Sequence, residues 1–203
     1  FMESDIVAEV NKTLEEFGIV VLSHYDNGFR CVTTTNKSVK SVEDMKGLNI
    51  RTPPNQIVME TMSALGAIPK PYSFTELKQA LRDGLFDSQE NPIPIIYNNK
   101  LYEVQEFLSV TNHIYSGMCF AIADSVWQKL TPEQQEIVAA AALASGDYDR
   151  QMNRQQTDDL VANLEEAGMK INYPDLAPFS AASKSVIEEN ALGISEDLLA
   201  SLA

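Results

Sequence analysis

Histidine, cysteine and positive charge are all scarce in this chain. Its 203 residues hold two histidines and two cysteines. Cys31 and Cys119 permit one bridge or none and fit no metal-ligand spacing. Both fall in apolar, strand-like runs, which reads as buried free thiols. His24 and His113 lie neither in a metal-ligand spacing nor beside a recognisable nucleophile motif, and no glycine-rich phosphate loop occurs. They read as structural or surface residues, and neither a metal nor a cofactor is expected. No apolar run approaches the roughly 18–20 residues that span a bilayer, so direct membrane insertion is not expected. No signal peptide is visible, and the chain opens abruptly at Phe1-Met2-Glu3-Ser4-Asp5, as the middle of a domain would.

Lysine and arginine number 15 against 29 aspartates and glutamates, a formal net charge of -14. Such a chain repels phosphates, which excludes nucleic acid and an anionic membrane surface as electrostatic partners. A small anion remains open to it, but only where local Arg, Lys or helix N-termini overrule the global field. An arginine in a pocket-like context therefore carries weight.

What is present is globular. Hydrophobic residues make up 44% and charged residues 22%, enough apolar content for one large domain or two small ones. Ile6, Val7, Val10, Leu14 and Phe17 have helical spacing, and Gly18 ends that helix. Ile19–Tyr25 reads as a buried strand closed by a turn at Asp26-Asn27-Gly28, with Phe29–Thr35 as the next strand. Ser41 and Asp44 signal a short helix ending near Gly47. Asn49–Arg51 is a short strand stopped by Pro53-Pro54, and Asn55–Leu65 an amphipathic helix. A helix starts at Ser73-Phe74-Thr75-Glu76 and runs to about Arg82. Leu85–Glu90 reads as a strand.

Further on, Tyr97–Phe107 is expected to be helical and Ser109–Ala123 strand-rich. Thr131-Pro132-Glu133-Gln134 opens a helix with proline at its first position. From there to Gly168 the only internal glycine is Gly146, and proline is absent. That predicts one long helix or two in tandem. Lys170–Tyr173 gives a strand and Ser180–Glu189 a last helix. Strands and helices alternating with short connections predict an α/β fold with a largely parallel sheet.

In such sheets ligands bind outside the carboxyl ends of the strands, where Arg51 and Glu90-Asn91-Pro92 fall. A guanidinium presents a planar fork that holds a carboxylate with two hydrogen bonds. Arg51 is therefore either the anchor of an acid ligand or the partner of a neighbouring acidic residue. Arg30, after Gly28-Phe29, is a weaker version of the same case. Asn91 offers a donor and an acceptor suited to a carboxylate or hydroxyl, or it serves turn chemistry beside Pro92 and Pro94. The paired carboxylates Glu165-Glu166 and Glu188-Glu189 read as solvated helix faces.

Three stretches carry a resemblance. Asp44-Met45-Lys46-Gly47-Leu48-Asn49-Ile50-Arg51-Thr52-Pro53 resembles D-x-K-G-L-K-I-R-x-P. Pro71-Tyr72-Ser73-Phe74-Thr75-Glu76-Leu77, then Ala80-Leu81, resembles P-x-x-F-x-E-x-Y-x-A-L. Gly84 to Pro92, then Tyr102-Glu103-Val104-Gln105, resembles G-x-V-D-G-Q-E-N-P and F-Y-E-V-Q, with Ser88 where the pattern has Gly. In order and spacing they resemble the DctP-type solute-binding proteins of tripartite ATP-independent periplasmic (TRAP) transporters, over roughly residues 1–190.

The resemblance implies a two-lobed periplasmic substrate-binding fold with hinge strands and a long bridging helix, closing on its ligand. Residues 1–29 and 117–155 would form one lobe, and 30–116 and 156–203 the other. Family members carry further residues before the point matching Phe1, including a signal peptide, so the first lobe is expected to be incomplete. Arg51 would bind the ligand carboxylate, with Asn91 on the same group. Arg30 would contribute, and Phe74 and Tyr97 would wall the cleft. The implied function is non-enzymatic capture of a small organic acid, a sugar acid or a C4-type dicarboxylate, for delivery to the permease subunits in the membrane. The usual state in the family is a monomer. A sensory ligand-binding domain, or an α/β enzyme acting on an organic acid, is the alternative.

Overall fold

The computed structural model describes residues 4–190. Helix α1 (Asp5–Glu15) is followed by strand β1 (Ile19–Thr34). Then come β2 (Asn49–Thr52), α2 (Gln56–Ala64), β3 (Ile68–Pro71) and α3 (Leu77–Arg82). Next are β4 (Ser88–Pro92), α4 (Ile93–Asn98), β5 (Phe107–Ala123) and α5 (Asp124–Trp127). The chain continues with α6 (Pro132–Glu166), β6 (Lys170–Asn172) and α7 (Ala177–Asn190). This is an α/β fold. Its strands form one six-stranded sheet in the order β3-β2-β4-β1-β5-β6. β2 pairs in parallel with β3 and β4, and β5 with β6, while β1 and β4 are antiparallel.

The chain divides into two compact units. One holds residues 4–28 and Ser116–Gln156; the other holds Phe29–Tyr115 and residues 157–190. Residues 191–203, placed by the sequence in the second lobe, lie outside the described residues.

In the second unit the alternation of strand side chains builds two cores. Cys31 packs on one face with Leu81, Phe86, Ile96, Leu108 and Leu164. Its neighbour Val32 packs on the other with Met45, Ile50, Met62, Leu65 and Phe179. Both faces are thus covered, and the central strands are shut off from water. Ser41 and Asp44 form a reciprocal capping box on the 3₁₀ turn Val42–Met45. The Asn55 side chain accepts the Val58 N–H at the start of α2.

In the first unit α6 lies against β1. Thr131 and Gln134 cap its start reciprocally. Tyr25 bonds Ser145 at 2.5 Å, and the Asp26 N–H donates to Asp149 at 2.7 Å. The approach is tight at Gly146, where a Cβ would sit 2.1 Å from Ser23 Oγ and 2.8 Å from the His24 carbonyl oxygen. That contact explains the lone glycine in a single 35-residue helix, which settles the choice between one helix and two.

Several elements differ from expectation. Asp26-Asn27-Gly28 does not close a turn; β1 runs through it. Gly28 takes φ +86° and its N–H is held by the Asp26 carboxylate at 2.7 Å, so the strand continues instead of reversing. β3 was not expected because it contains Pro69 and Pro71. It is an edge strand, where a missing N–H is tolerated. α3 begins at Leu77, with Phe74–Glu76 forming a turn. The strand expected over Leu85–Glu90 lies at Ser88–Pro92, because Phe86 goes to the core. The helix expected over Tyr97–Phe107 begins at Ile93, since Pro94 suits a first turn. It stops before Lys100, at φ +52°, and Phe107 already belongs to β5. The short α5 was also not anticipated. Both thiols are free, but only Cys31 is buried; Cys119 is exposed on the part of β5 in the first unit. No helix among the described residues is long and apolar enough to cross a membrane.

Candidate functional site

β4 breaks the rule for its position. It lies between β2 and β1, and each of its five residues is buried, yet it reads Ser-Gln-Glu-Asn-Pro. A strand covered on both faces is ordinarily a Val, Ile and Leu run. Burying polar groups is costly unless each finds a partner, and local violations of this kind gather where function demands them.

Glu90 finds its partners on β1 and β5. Arg30 sits opposite Pro92 in the antiparallel register, which makes Glu90 its diagonal neighbour. The two side chains meet fork to fork: Arg30 Nε donates to Glu90 Oε2, and Arg30 Nη2 to Oε1 at 2.8 Å. Nη2 also reaches the Glu90 carbonyl oxygen at 3.0 Å. His113 Nε2 lies 3.3 Å from Oε2. A carboxylate only accepts, so Nε2 carries the proton, while Nδ1 meets the Thr111 hydroxyl at 2.8 Å. Burial pushes the Glu90 carboxyl up, but the hydrogen bonds and charge of Arg30 and His113 more than offset it. The net result lies below the ordinary carboxylate value.

Arg51, on β2, is different. It is 3% exposed, and its Nε and Nη2 both donate to the Tyr72 carbonyl oxygen, at 2.9 and 2.6 Å. The Phe74 ring lies 5.7 Å from its guanidinium carbon. Among the described residues no carboxylate forms an ion pair with it. Burial lowers its pKa; the field of Glu90 raises it and that of Arg30 lowers it. Glu90 is thus committed to Arg30 and His113, and the Arg51 guanidinium touches only the Tyr72 carbonyl oxygen and the Phe74 ring among the described residues. The alternative of a structural salt bridge is realised at Arg30 and not at Arg51.

Asn91 ties the group together. Its Oδ1 accepts from Arg30 Nη2 at 3.2 Å, and its Nδ2 donates to Gln89 Oε1 at 2.6 Å. The structure therefore brings Arg30, Arg51, Asn91 and Phe74 into one group in the second unit. Phe74 keeps 40% of its surface exposed beside the buried guanidinium. Tyr97 stands apart on α4. It packs against the core cluster of Leu77 and Ile96, with Tyr102 at a ring distance of 5.9 Å. The sequence reading missed the roles of Glu90 and His113. The only signal for them was an acid in a buried strand, which demands a basic partner of unknown address. Among the described residues no cluster of His, Cys, Asp and Glu is arranged to hold a metal ion.

The family model described as bacterial extracellular solute-binding protein, family 7 (DctP), matches residues 1–192. The sialic acid-binding periplasmic protein SiaP of Vibrio cholerae is 36% identical over 202 residues, which is 99% of this chain and 63% of that protein. The 2,3-diketo-L-gulonate-binding periplasmic protein YiaO of Escherichia coli is 32% identical over 84% of this chain and 52% of its own length. A TRAP periplasmic solute-binding protein from Roseobacter denitrificans, solved with bound 3-deoxy-D-manno-oct-2-ulosonic acid, superposes with a TM-score of 0.91 at 32% identity. That match covers 99% of this chain and 68% of the other. The chain thus spans roughly half to two thirds of the length of these three relatives.

Proposed function

The chain belongs to family 7 of the bacterial extracellular solute-binding proteins, and from that premise we propose that it captures a small organic acid outside the cytoplasm and passes it unchanged to the membrane subunits of a TRAP transporter. The observation that carries this reading is Arg51, a buried guanidinium whose only acceptor among the described residues is a carbonyl oxygen. A desolvated cation without a counterion is costly. A ligand carboxylate supplies that counterion and takes the two-pronged geometry the fork offers. Asn91 and Phe74 flank it, the first as a polar contact and the second as an apolar wall. Arg30, already engaged by Glu90, acts mainly by holding Asn91.

A sugar acid is the first choice of ligand, because the three relatives described above are named for, or solved with, such acids. A C4-type dicarboxylate is the second. The two units correspond in this proposal to the two lobes of a solute-binding protein, and the protein works as a monomer.

A thermal-shift screen of the intact protein tests the reading. The panel is sialic acid, 2,3-diketo-L-gulonate, 3-deoxy-D-manno-oct-2-ulosonate, hexuronates, aldonates and C4 dicarboxylates. A ligand that binds only the folded state raises the midpoint. One acid class is expected to do so and to be recovered chemically intact. No shift with any acid, after unfolding and refolding to strip copurified ligand, would reject the proposal.

A further inference from the structure

The buried polar residues around β4 form a chain of hydrogen bonds with a single direction. Arg30 Nη2 donates to Asn91 Oδ1, and Asn91 Nδ2 donates to Gln89 Oε1. Gln89 Nε2 donates to Thr33 Oγ1 at 2.7 Å, its direct cross-strand partner in the β1–β4 register. The Thr33 hydroxyl donates to Gln105 Oε1 at 3.0 Å. Gln105 Nε2 donates to Thr35 Oγ1 at 2.8 Å, and the Thr35 hydroxyl to the Asp87 carbonyl oxygen at 3.2 Å. Thr33, Gln89 and Gln105 are all buried.

Both ends of this relay are groups with one possible role. A guanidinium only donates, and a backbone carbonyl only accepts. Gln105 Nε2 is fixed a second time by the Val104 carbonyl oxygen at 3.2 Å. Reversing Asn91 sets its nitrogen against Arg30 and its oxygen against Gln89 Oε1, reversing Gln89 sets nitrogen against nitrogen at Asn91, and reversing Gln105 sets its oxygen against the Val104 carbonyl oxygen. Reversing the whole relay fails at Arg30, which cannot accept, and at the Val104 carbonyl oxygen, which cannot donate. Burial makes each mismatch expensive, because no water takes the place of the lost partner.

We propose that Gln89, Thr33 and Gln105 are positioning residues that lock the Asn91 amide in one orientation. Its oxygen is committed to Arg30 and its nitrogen to the relay, and the second N–H of that nitrogen is the donor left for a ligand carboxylate. This rests on the reading that Asn91 contacts the ligand. A free Asn side chain presents a donor or an acceptor with equal ease. A locked one, beside Arg51, makes the site donor-only, which favours an acid over its amide or ester.

The test reads the Asn91 side chain by nitrogen-15 NMR without any ligand, its signals identified by their loss in Asn91→Asp. In the unaltered protein the Asn91 amide protons are expected to exchange with water at least about tenfold more slowly than those of exposed Asn55, as befits a buried, partnered group. Thr33→Val keeps the shape and removes the hydroxyl, and it is expected to abolish most of that protection. Thr33→Ser is expected to restore it. Gln105→Met breaks the relay at a second point and carries the same comparison should Thr33→Val not fold. Exchange at Asn91 as fast as at Asn55, or equal protection in the unaltered protein and the folded breaking variants, overturns the relay. Because no ligand is involved, that result leaves acid capture standing. An intact relay in a protein that binds no acid would reject acid capture alone.

Discussion

Arg30 and Glu90 face each other diagonally across the β1–β4 ladder and are joined by two guanidinium–carboxylate hydrogen bonds inside the protein. One β-strand further along the sheet, Arg51 has no such partner among the described residues. Two buried arginines of one cluster thus have opposite electrostatic standing. In a chain with a net charge of -14, this is the local arrangement that an anion site requires. The difference between the two arginines makes their replacements diverge.

Arg30→Met leaves Glu90 buried without its main counterion, and it is expected to cost about 3–5 kcal/mol of unfolding free energy. Arg51→Met removes an uncompensated buried cation at the loss of two bonds to one carbonyl, and it is expected to stay within about 1 kcal/mol of the unaltered protein. Urea denaturation of both variants without ligand checks the contrast.

Glu90 makes the stability of the protein sensitive to acid. Its folded pKa lies below the ordinary value of 4.5, because Arg30 and His113 outweigh the effect of burial. The unfolded chain therefore binds the proton more readily. The stability this carboxylate contributes is complete above its unfolded pKa and is lost as pH falls through the lower, folded one. Glu90→Gln is expected to be less stable than the unaltered protein near neutrality, and the gap in urea midpoint is expected to narrow as pH falls below the ordinary carboxylate value of 4.5 and to close once the lower, folded pKa is passed.

Gly146→Ala places a methyl group against the His24 carbonyl oxygen, where a Cβ would lie 2.8 Å away. Alanine favours helix, so propensity alone predicts a small gain. The backbone clash reverses that sign, and a loss of about 1–3 kcal/mol is expected by thermal or urea unfolding.

The two thiols are expected to report separately. Burial pushes Cys31 up to about 11, which keeps it protonated and inert. Cys119 is exposed. One equivalent of a thiol reagent is expected to react with the native protein at neutral pH and two with the unfolded chain.

Local signals were the legible part of this molecule. The Ser41–Asp44 cap signal, the amphipathic spacing of Asn55–Leu65 and the proline at position 132 announced their helices, and the proline-free stretch after Pro132 announced the length of α6. Strand pairing was less visible. The glycine and acid at Asp26–Gly28 look like a turn until Asp149 and the Asp26 carboxylate are seen to take up the local N–H groups. β3 hides behind two prolines that only an edge position tolerates. In the site, the stretches around Arg30, Arg51, Phe74 and Asn91 pointed to residues that the fold does bring together. Glu90 and His113 could not be paired with Arg30 in advance, because cross-strand register is a long-range property. For the same reason the relay through Thr33 and Gln105 joins residues up to 72 positions apart and leaves no local pattern.

The most direct test titrates the unaltered protein and Arg51→Met, by calorimetry, with whichever panel acid gives the largest thermal shift. Loss of a charge-assisted, two-pronged contact is expected to weaken binding by about tenfold to a hundredfold or more, with the folded state intact. Equal affinity in the two proteins would show that the ligand carboxylate is held elsewhere, and it would contradict the central role given to Arg51.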